Sequence, residues 1–188
     1  SGIVEAFIIA KQFIGNESCA LILGDNIFYG AGLIRQLKES VVRADNGTAT
    51  IFGYYVKDPS RYGVIEFDKD SNAISIEEKP KEPKSNYCAT GLYFYPKDVT
   101  ELSALITPSK RGEIEITDLN NLYLTKKRLF VVTLGRGYSW IDAGTHESLV
   151  DASNYVKILE EHQGIKISCP EEIAFINDWI SKEMLIIA

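Results

Sequence analysis

Two aspartates of the sequence could hold a divalent cation. Asp25 directly follows the apolar run 20–23, and Asp142 directly follows the apolar Ile141. In open α/β sheets ligands bind beyond the carboxyl ends of strands, so both carboxylates are candidates for a ligand site, although each could instead cap a turn or a helix. If they converge to about 4 Å, their repulsion at an effective dielectric constant near 20 is roughly 4 kcal/mol, and a cation would reverse it. Carboxylates, waters and substrate phosphates are the usual ligands of Mg²⁺, which is the cofactor that we expect.

Three further segments could contact a phosphate or a sugar. Residues 77–80 end a predicted strand, and Pro80 favours an extended backbone at Lys79, which would present this lysine at the sheet edge. A solvated run of charges is the alternative. Gly63 lies in a predicted tight turn, where it allows its amide to approach a ligand or serves only backbone freedom. Arg111 precedes a predicted helix and is suited either to an anion near the helix amino terminus or to a surface ion pair.

Alternating strands and helices must position these residues. The run 20–23 is typical of a strand buried on both faces, and the helical stripe of Leu33, Leu37 and Val41 leads to a second strand over 50–56, which completes a βαβ unit. Residues 64–67 and 74–77 flank a turn and predict a β-hairpin. We therefore predict a Rossmann-like α/β fold with a mixed, mostly parallel sheet flanked by helices. Further predictions are strands at 91–95 and 129–134, a helix over 116–123, a long helix capped by Thr145 and a short helix opened by Pro170.

Composition limits the partners. The chain has 188 residues, of which 45% are hydrophobic, and we expect a single domain over 1–188. A net charge of −6 argues against nucleic acids and anionic membranes as partners. The three cysteines lie far apart and predict neither disulfides nor a zinc site, and we expect a cytoplasmic protein. The helical pattern starts at residue 3 with no preceding strand, so we expect a truncated beginning.

Six motifs in this order resemble the bacterial glucose-1-phosphate thymidylyltransferases, a branch of the sugar nucleotidylyltransferases. The resemblance extends nearly end to end, and residues 168–174 continue it. The matching segments are LGDN at 23–26 with FYG at 28–30, DPSRYGV at 58–64, EEKP at 77–80 with PKSNY at 83–87, TGLYFY at 90–95, RGEIEITD at 111–118 and WIDAGT at 140–145.

The resemblance implies the nucleotide-diphospho-sugar transferase type of fold and a reaction. The thymidylyl group of dTTP would pass to glucose 1-phosphate by in-line attack, giving dTDP-glucose and pyrophosphate for deoxysugar synthesis such as the rhamnose pathway. The full-length protein would be a homotetramer. The glycine-rich triphosphate loop of the family is absent from this sequence, so we expect the chain to be inactive alone.

The resemblance also implies roles for individual residues. Asp25 and Asp142 would hold Mg²⁺, and Lys79 and Arg111 would complete the catalytic set, with Lys79 on the sugar phosphate. Glu78 would bind the sugar hydroxyls, and the amide of Gly63 would contact the sugar. The remaining pocket residues would be Asn26, Tyr62, Ala89, Tyr93 and Trp140 around the sugar nucleotide, and Gly2 and Leu23 near the base.

Alternatives remain at two levels. The segment 2–6 reads GIVEA where the family commonly has GLAQA, and the added bulk and charge beside the base pocket leave UTP, CTP or ATP open as the nucleotide. A non-catalytic sugar-nucleotide-binding regulatory module could keep the pocket, but the retained Asp25, Asp142 and Lys79 argue against it. An oxidoreductase is disfavoured because no G-x-G-x-x-G follows a predicted strand.

Overall fold

The computed structural model describes residues 2–109 and 112–187. The chain forms two compact units, Ser1–Trp140 and Ile141–Ala188. That the whole chain acts as a single domain stays a prediction. The first unit contains α1 (Glu5–Ile9), α2 (Lys11–Ile14), β1 (Cys19–Ile22), β2 (Asn26–Gly30), α3 (Leu33–Asp45), β3 (Ala49–Tyr55), β4 (Gly63–Phe67), β5 (Ala73–Glu78), β6 (Tyr87–Tyr95), α4 (Val99–Ser103), α5 (Ile116–Thr125), β7 (Leu129–Leu134) and the start of β8 (Tyr138–Asp142).

The main sheet has six strands. Five follow the order β5-β4-β6-β3-β7, and β1 also pairs with β6. Strand β3 runs parallel to β7, with Ile51 opposite Val131, whereas β6 runs antiparallel to β1, β3 and β4. The α/β class and the mixed sheet are confirmed. The predicted excess of parallel pairs is wrong, because β6 lies in the middle of the sheet and runs against all its neighbours.

The strand over 20–23 differs from its prediction. Strand β1 begins at Cys19 and its residues alternate between half-buried and exposed, so that Ile22 is 57% exposed. The doubly buried pattern belongs instead to β3 and β6, which have strands on both sides and helices on both faces. An apolar run in the sequence therefore marked a strand but not its degree of burial.

Two cores cover opposite faces of the sheet. Alternation along β6 directs Tyr93 and Tyr95 into the larger core, and Leu92 and Phe94 into the smaller one. Helices α1, α4 and α5 supply Phe7, Val99, Leu102, Leu119 and Tyr123 to the larger core, and α3 supplies Ala44 to the smaller one. Helix α5 packs beside the strand that ends at Glu78, which is one of the predicted site residues.

The predicted hairpin and an unexpected two-stranded sheet position the remaining loops. Strands β4 and β5 pair antiparallel around the turn 68–72, in which the carboxylate of Asp68 accepts the backbone N–H groups of Asp70 and Asn72. A two-stranded sheet joins β2 to β8, a pairing between segments more than 100 residues apart that local sequence patterns did not indicate. This pairing brings Asn26 beside Trp140.

The second unit is helical. It contains α6 (His146–Gln163), α7 (Pro170–Ile176) and α8 (Lys182–Ile187). As predicted, Thr145 caps α6, where its hydroxyl accepts the N–H of Ser148 in a capping box, and Pro170 opens α7. Throughout the described chain, every helix is too short or too polar to cross a bilayer.

Candidate functional site

The side chain of Asn26 connects three predicted site segments. Its Oδ1 accepts hydrogen bonds from the indole Nε1 of Trp140 at 2.6 Å and from the backbone N–H of Gly91 at 3.0 Å. Its Nδ2 donates to Oδ1 of Asp25 at 2.8 Å. Because indole and amide N–H groups can only donate, they fix which end of the Asn26 carboxamide faces them, and the amino group is thereby directed to Asp25.

Aromatic rings form one wall of the site. Trp140 is only 8% exposed, and its ring meets Tyr62 edge-on at a centroid distance of 5.1 Å. Tyr54 packs against another side of the indole at 5.9 Å. Rings held in this way offer an apolar surface of fixed orientation, of the kind against which a sugar or a base packs. Tyr62 and Trp140, which the resemblance assigns to the sugar-nucleotide pocket, have rings in contact.

Gly63, Glu78 and Lys79 lie together at the end of the β4/β5 hairpin. Gly63 is directly opposite Glu78 in the ladder, and the backbone N–H of Lys79 donates to the carbonyl of Tyr62 at 3.0 Å. The Lys79 Nζ is 3.9 Å from Oε1 of Glu78, which is the outer limit of an ion pair. A cation, a carboxylate and a buried glycine thus share one corner, next to the ring of Tyr62.

The backbone of Lys79 differs from its prediction. Pro80 favours an extended residue before it, yet Lys79 has φ of +45°, in the left-handed region. A non-glycine residue there costs about 1–3 kcal/mol, which the surrounding structure must offset. The N–H of Lys79 bonded to Tyr62 is one such tertiary contact. The lysine side chain is exposed at the end of β5, as predicted, but by a turned and not an extended backbone.

Strand β6 supplies the floor of the site. Gly91 is required there, because a Cβ at this position would lie 2.6 Å from Oδ1 of Asn26 and 2.8 Å from Cδ1 of Leu23. Tyr93 is buried on the same strand, and burial, together with the negative charge of Glu78, raises the pKa of its hydroxyl well above the usual range. Tyr93 therefore stays neutral and able to donate. Ala89 is half-buried on β6, two residues before Gly91.

The two residues expected near the base lie in different surroundings. Leu23 joins the Asn26 group, since its N–H donates to the Gly91 carbonyl at 2.9 Å and its own carbonyl accepts the N–H of Asn26. Gly2 packs instead against the backbone of Ile114, where an added Cβ would lie only 2.2 Å from the carbonyl oxygen. The requirement for glycine at position 2 is thus explained by packing.

The two predicted cation ligands belong to different compact units. Asp25 is exposed, and its Oδ1 accepts the bond from Asn26; Asp142 is half-buried, and its Oδ1 accepts the N–H of Gly144 at 3.1 Å. Exposed carboxylate oxygens suit a hard cation such as Mg²⁺, which keeps much of its water. Within residues 2–109 and 112–187, three or more His, Cys, Asp or Glu side chains do not gather at any point into a metal site. Arg111 lies outside the described residues.

Sequence reasoning missed one residue of this corner. Thr117, in the first turn of α5, is 3% exposed and donates its hydroxyl to Oε2 of Glu78 at 2.5 Å. The segment RGEIEITD includes Thr117, but a threonine near a helix start is usually a capping residue, so its type and place pointed to a local role.

Comparison with known proteins agrees with these motifs. Glucose-1-phosphate thymidylyltransferase of Xanthomonas campestris pv. campestris strain B100 is 48% identical over 184 residues, which cover 98% of this chain and 62% of the relative. The enzyme of the same name from Neisseria gonorrhoeae is 50% identical over 182 residues, with 97% and 62% covered. The chain therefore spans about 62% of the length of these curated relatives.

Solved structures share the fold. The crystal structure of a Bacillus anthracis protein described as a glucose-1-phosphate thymidylyltransferase, in complex with sucrose, matches with a TM-score of 0.70 and 38% identity over 82% of this chain and 61% of that chain. UDP-glucose pyrophosphorylase in complex with UDP-glucose matches with a TM-score of 0.72 at 24% identity, over 84% and 62% of the two chains, which is a likeness of fold. The model of the Nucleotidyl transferase family matches residues 1–158. The chain belongs to the nucleotidyl transferase family.

Proposed function

We propose that this protein makes dTDP-glucose and pyrophosphate from dTTP and glucose 1-phosphate. A phosphate oxygen of glucose 1-phosphate forms a bond to the α-phosphorus of dTTP. The bond from that phosphorus to the bridging oxygen breaks in line, and its electron pair leaves with pyrophosphate. The corner formed by Gly63, Glu78 and Lys79 beside the Tyr62–Trp140 wall is the observation that supports this proposal most, together with the names of the relatives.

The chemistry of this corner matches a sugar phosphate. The ammonium group of Lys79 attracts a phosphate, and the carboxylate of Glu78 accepts hydrogen bonds from sugar hydroxyls. The Gly63 amide donates where a side chain would block approach, and the indole of Trp140 packs against the apolar face of the sugar ring. These contacts mainly hold the two reactants in line, which is the chief contribution of a protein to phosphoryl transfer.

We propose Mg²⁺ as the cofactor, with Asp25 as one of its ligands. When bound, Mg²⁺ would neutralise charge on the phosphates of the nucleotide. Asn26 contributes by donating to one oxygen of Asp25, which restrains this carboxylate. The role of Asp142 as a second ligand stays a prediction from the sequence, as do the base preference, the cytoplasmic location and the homotetramer.

Replacement of Lys79 tests the function. Lys79→Ala removes a charged contact worth about 1.5–3 kcal/mol, so the kcat/KM for glucose 1-phosphate should fall about ten- to a hundredfold, while the affinity for dTTP changes little. Lys81→Ala is the matched control, because Lys81 is an exposed lysine of the same loop. Pyrophosphate release is measured with dTTP, glucose 1-phosphate and Mg²⁺ in the full-length protein, because this chain is expected to be inactive alone. Loss of dTTP affinity with unchanged use of glucose 1-phosphate would contradict the proposal.

A further inference from the structure

Helix α5 is attached to the edge strand β5 by two side chains. Asn121 pairs with the backbone of Ile76: its Oδ1 accepts the Ile76 N–H at 3.1 Å, and its Nδ2 donates to the Ile76 carbonyl at 2.7 Å. Two residues further along the strand, the hydroxyl of Thr117 donates to Oε2 of Glu78 at 2.5 Å. Strand β5 ends the sheet order, so Asn121 occupies hydrogen-bonding groups that a neighbouring strand would otherwise use.

The spacing of the two attachments fits both elements. Thr117 and Asn121 are four residues apart and therefore lie on the same face of the helix, about 6 Å apart along its axis. Ile76 and Glu78 are two residues apart and therefore point to the same side of the strand, separated by about 6.6 Å. The two pairs match in register, so α5 fixes the end of β5 at two successive points.

The attachment restrains Glu78 beside Lys79. Thr117 holds Oε2, while Oε1 stays 3.9 Å from the Lys79 Nζ. Without the hydroxyl, Glu78 would lose one of the contacts that restrain it, and the attraction of Lys79 would favour a shorter distance between the two groups. Gly63 belongs to the same arrangement, because a Cβ there would lie 2.9 Å from Oγ1 of Thr117 and 3.4 Å from Oε2 of Glu78.

We propose that Thr117 is a positioning residue for the sugar subsite, which holds Glu78 apart from Lys79 so that the carboxylate binds the hydroxyls of a hexose 1-phosphate and the lysine binds its phosphate. Asn121 is the second anchor of the same strand. This inference rests on the proposed function and adds to it a residue that acts through Glu78.

Two substitutions at position 117 separate the hydroxyl from the volume of the side chain. Thr117→Val keeps the shape and removes the donor, and should weaken the binding of glucose 1-phosphate about tenfold. Thr117→Ser restores the donor and should recover affinity to within about threefold of the parent. Thr133→Val is the matched control, because Thr133 is an exposed threonine of β7, at the opposite end of the sheet order from β5. Affinities are measured by titration calorimetry with glucose 1-phosphate.

A double-mutant cycle distinguishes positioning from a merely structural role. If Thr117 acts through Glu78, then Thr117→Val should cause no further loss in a Glu78→Ala background, where the carboxylate is gone. Full additivity of the two losses would overturn the proposal, and so would equal losses in Thr117→Val and Thr117→Ser. Failure of the unsubstituted protein to bind glucose 1-phosphate would overturn the proposed function and this inference with it. Unchanged affinity of Thr117→Val alone would overturn only the role of Thr117.

Discussion

Replacement of Asn26 measures how much the side-chain carboxamide of this residue contributes to the free energy of unfolding. Asn26→Leu removes the oxygen that accepts two hydrogen bonds. The indole N–H of Trp140 and the backbone N–H of Gly91 then have no acceptor, and both residues are buried. A buried donor left unpaired costs about 1–3 kcal/mol, so the free energy of unfolding should fall by about 2–6 kcal/mol. Both substitutions are made in an Asp25→Asn background, because a carboxylate at position 26 would otherwise repel the carboxylate of Asp25. In that background Asn26→Asp keeps an acceptor oxygen for both donors and should lose markedly less.

The assay follows urea unfolding by tryptophan fluorescence. The protein contains two tryptophans, and Trp179 is 73% exposed, so a Trp179→Phe background leaves Trp140 as the reporter. If the denaturant midpoint falls and the slope of the free energy against urea concentration is unchanged, then the folded state has lost stability and the unfolded state has not changed. Asn26→Leu and Asn26→Asp differing by less than about 0.5 kcal/mol would refute the reasoning, because the two acceptor bonds would then contribute nothing measurable.

Three further substitutions test other parts of the structure. Gly63→Ala places a Cβ 2.9 Å from Oγ1 of the buried Thr117, so the free energy of unfolding in urea should fall by about 1–3 kcal/mol. An unchanged denaturant midpoint would show that the residues around position 63 can move to accept the methyl group. Tyr95→Phe removes the hydroxyl that donates to Oδ1 of Asn120 at 2.6 Å in the core, and should lower the free energy of unfolding by about 1–3 kcal/mol. The control is Tyr55→Phe, at an exposed tyrosine, which should leave the stability unchanged. Equal effects of the two substitutions would contradict the role of this bond. Burial raises the pKa of Asp98, but hydrogen bonds from Arg128 and Tyr123 outweigh it and hold the pKa below its usual value. A carboxyl whose pKa is lowered in the folded state stabilises the protein above its unfolded pKa of about 3.9, and this stability is lost as the pH falls through the folded pKa. In Asp98→Asn, the free energy of unfolding should therefore depend less steeply on pH below about pH 4. The same pH dependence in the two proteins would argue against this ion pair.

Local patterns predicted those elements whose structure is determined within a short stretch of chain. The hairpin of β4 and β5 follows from alternation around a turn in which Asp68 binds its own backbone, and α6 follows from the Thr145 cap. In both cases, the groups that define the element are within about five residues of each other. The assignment of Tyr62 and Trp140 to the pocket, by contrast, came from the family resemblance. Their ring contact was not predicted, since no local rule brings these residues together.

Contacts between distant segments account for what the sequence did not reveal. The pairing of β2 with β8 and the reversed direction of β6 depend on the whole topology. At Lys79, the bond from its N–H to Tyr62 accompanies a backbone that the following proline disfavours. Thr117 was missed for the same reason: its partner, Glu78, is 39 residues away, and a threonine at a helix start resembles a cap. The residue types of the candidate site stay a prediction from the sequence, whereas the side chains that hold them in place, such as Thr117, were not predicted.

The most direct test of the proposed sugar subsite follows the indole N–H of Trp140 by NMR. In a Trp179→Phe protein labelled with ¹⁵N, Trp140 gives the only indole signal. Its Nε1–H is bonded to Asn26 and its ring faces Tyr62, so a glucose unit beside this wall should shift the signal. Titration with dTDP-glucose in the presence of Mg²⁺ is predicted to shift it clearly, and titration with dTDP to shift it much less. Equal shifts with the two ligands, or none with dTDP-glucose at saturation, would contradict a sugar site at this corner.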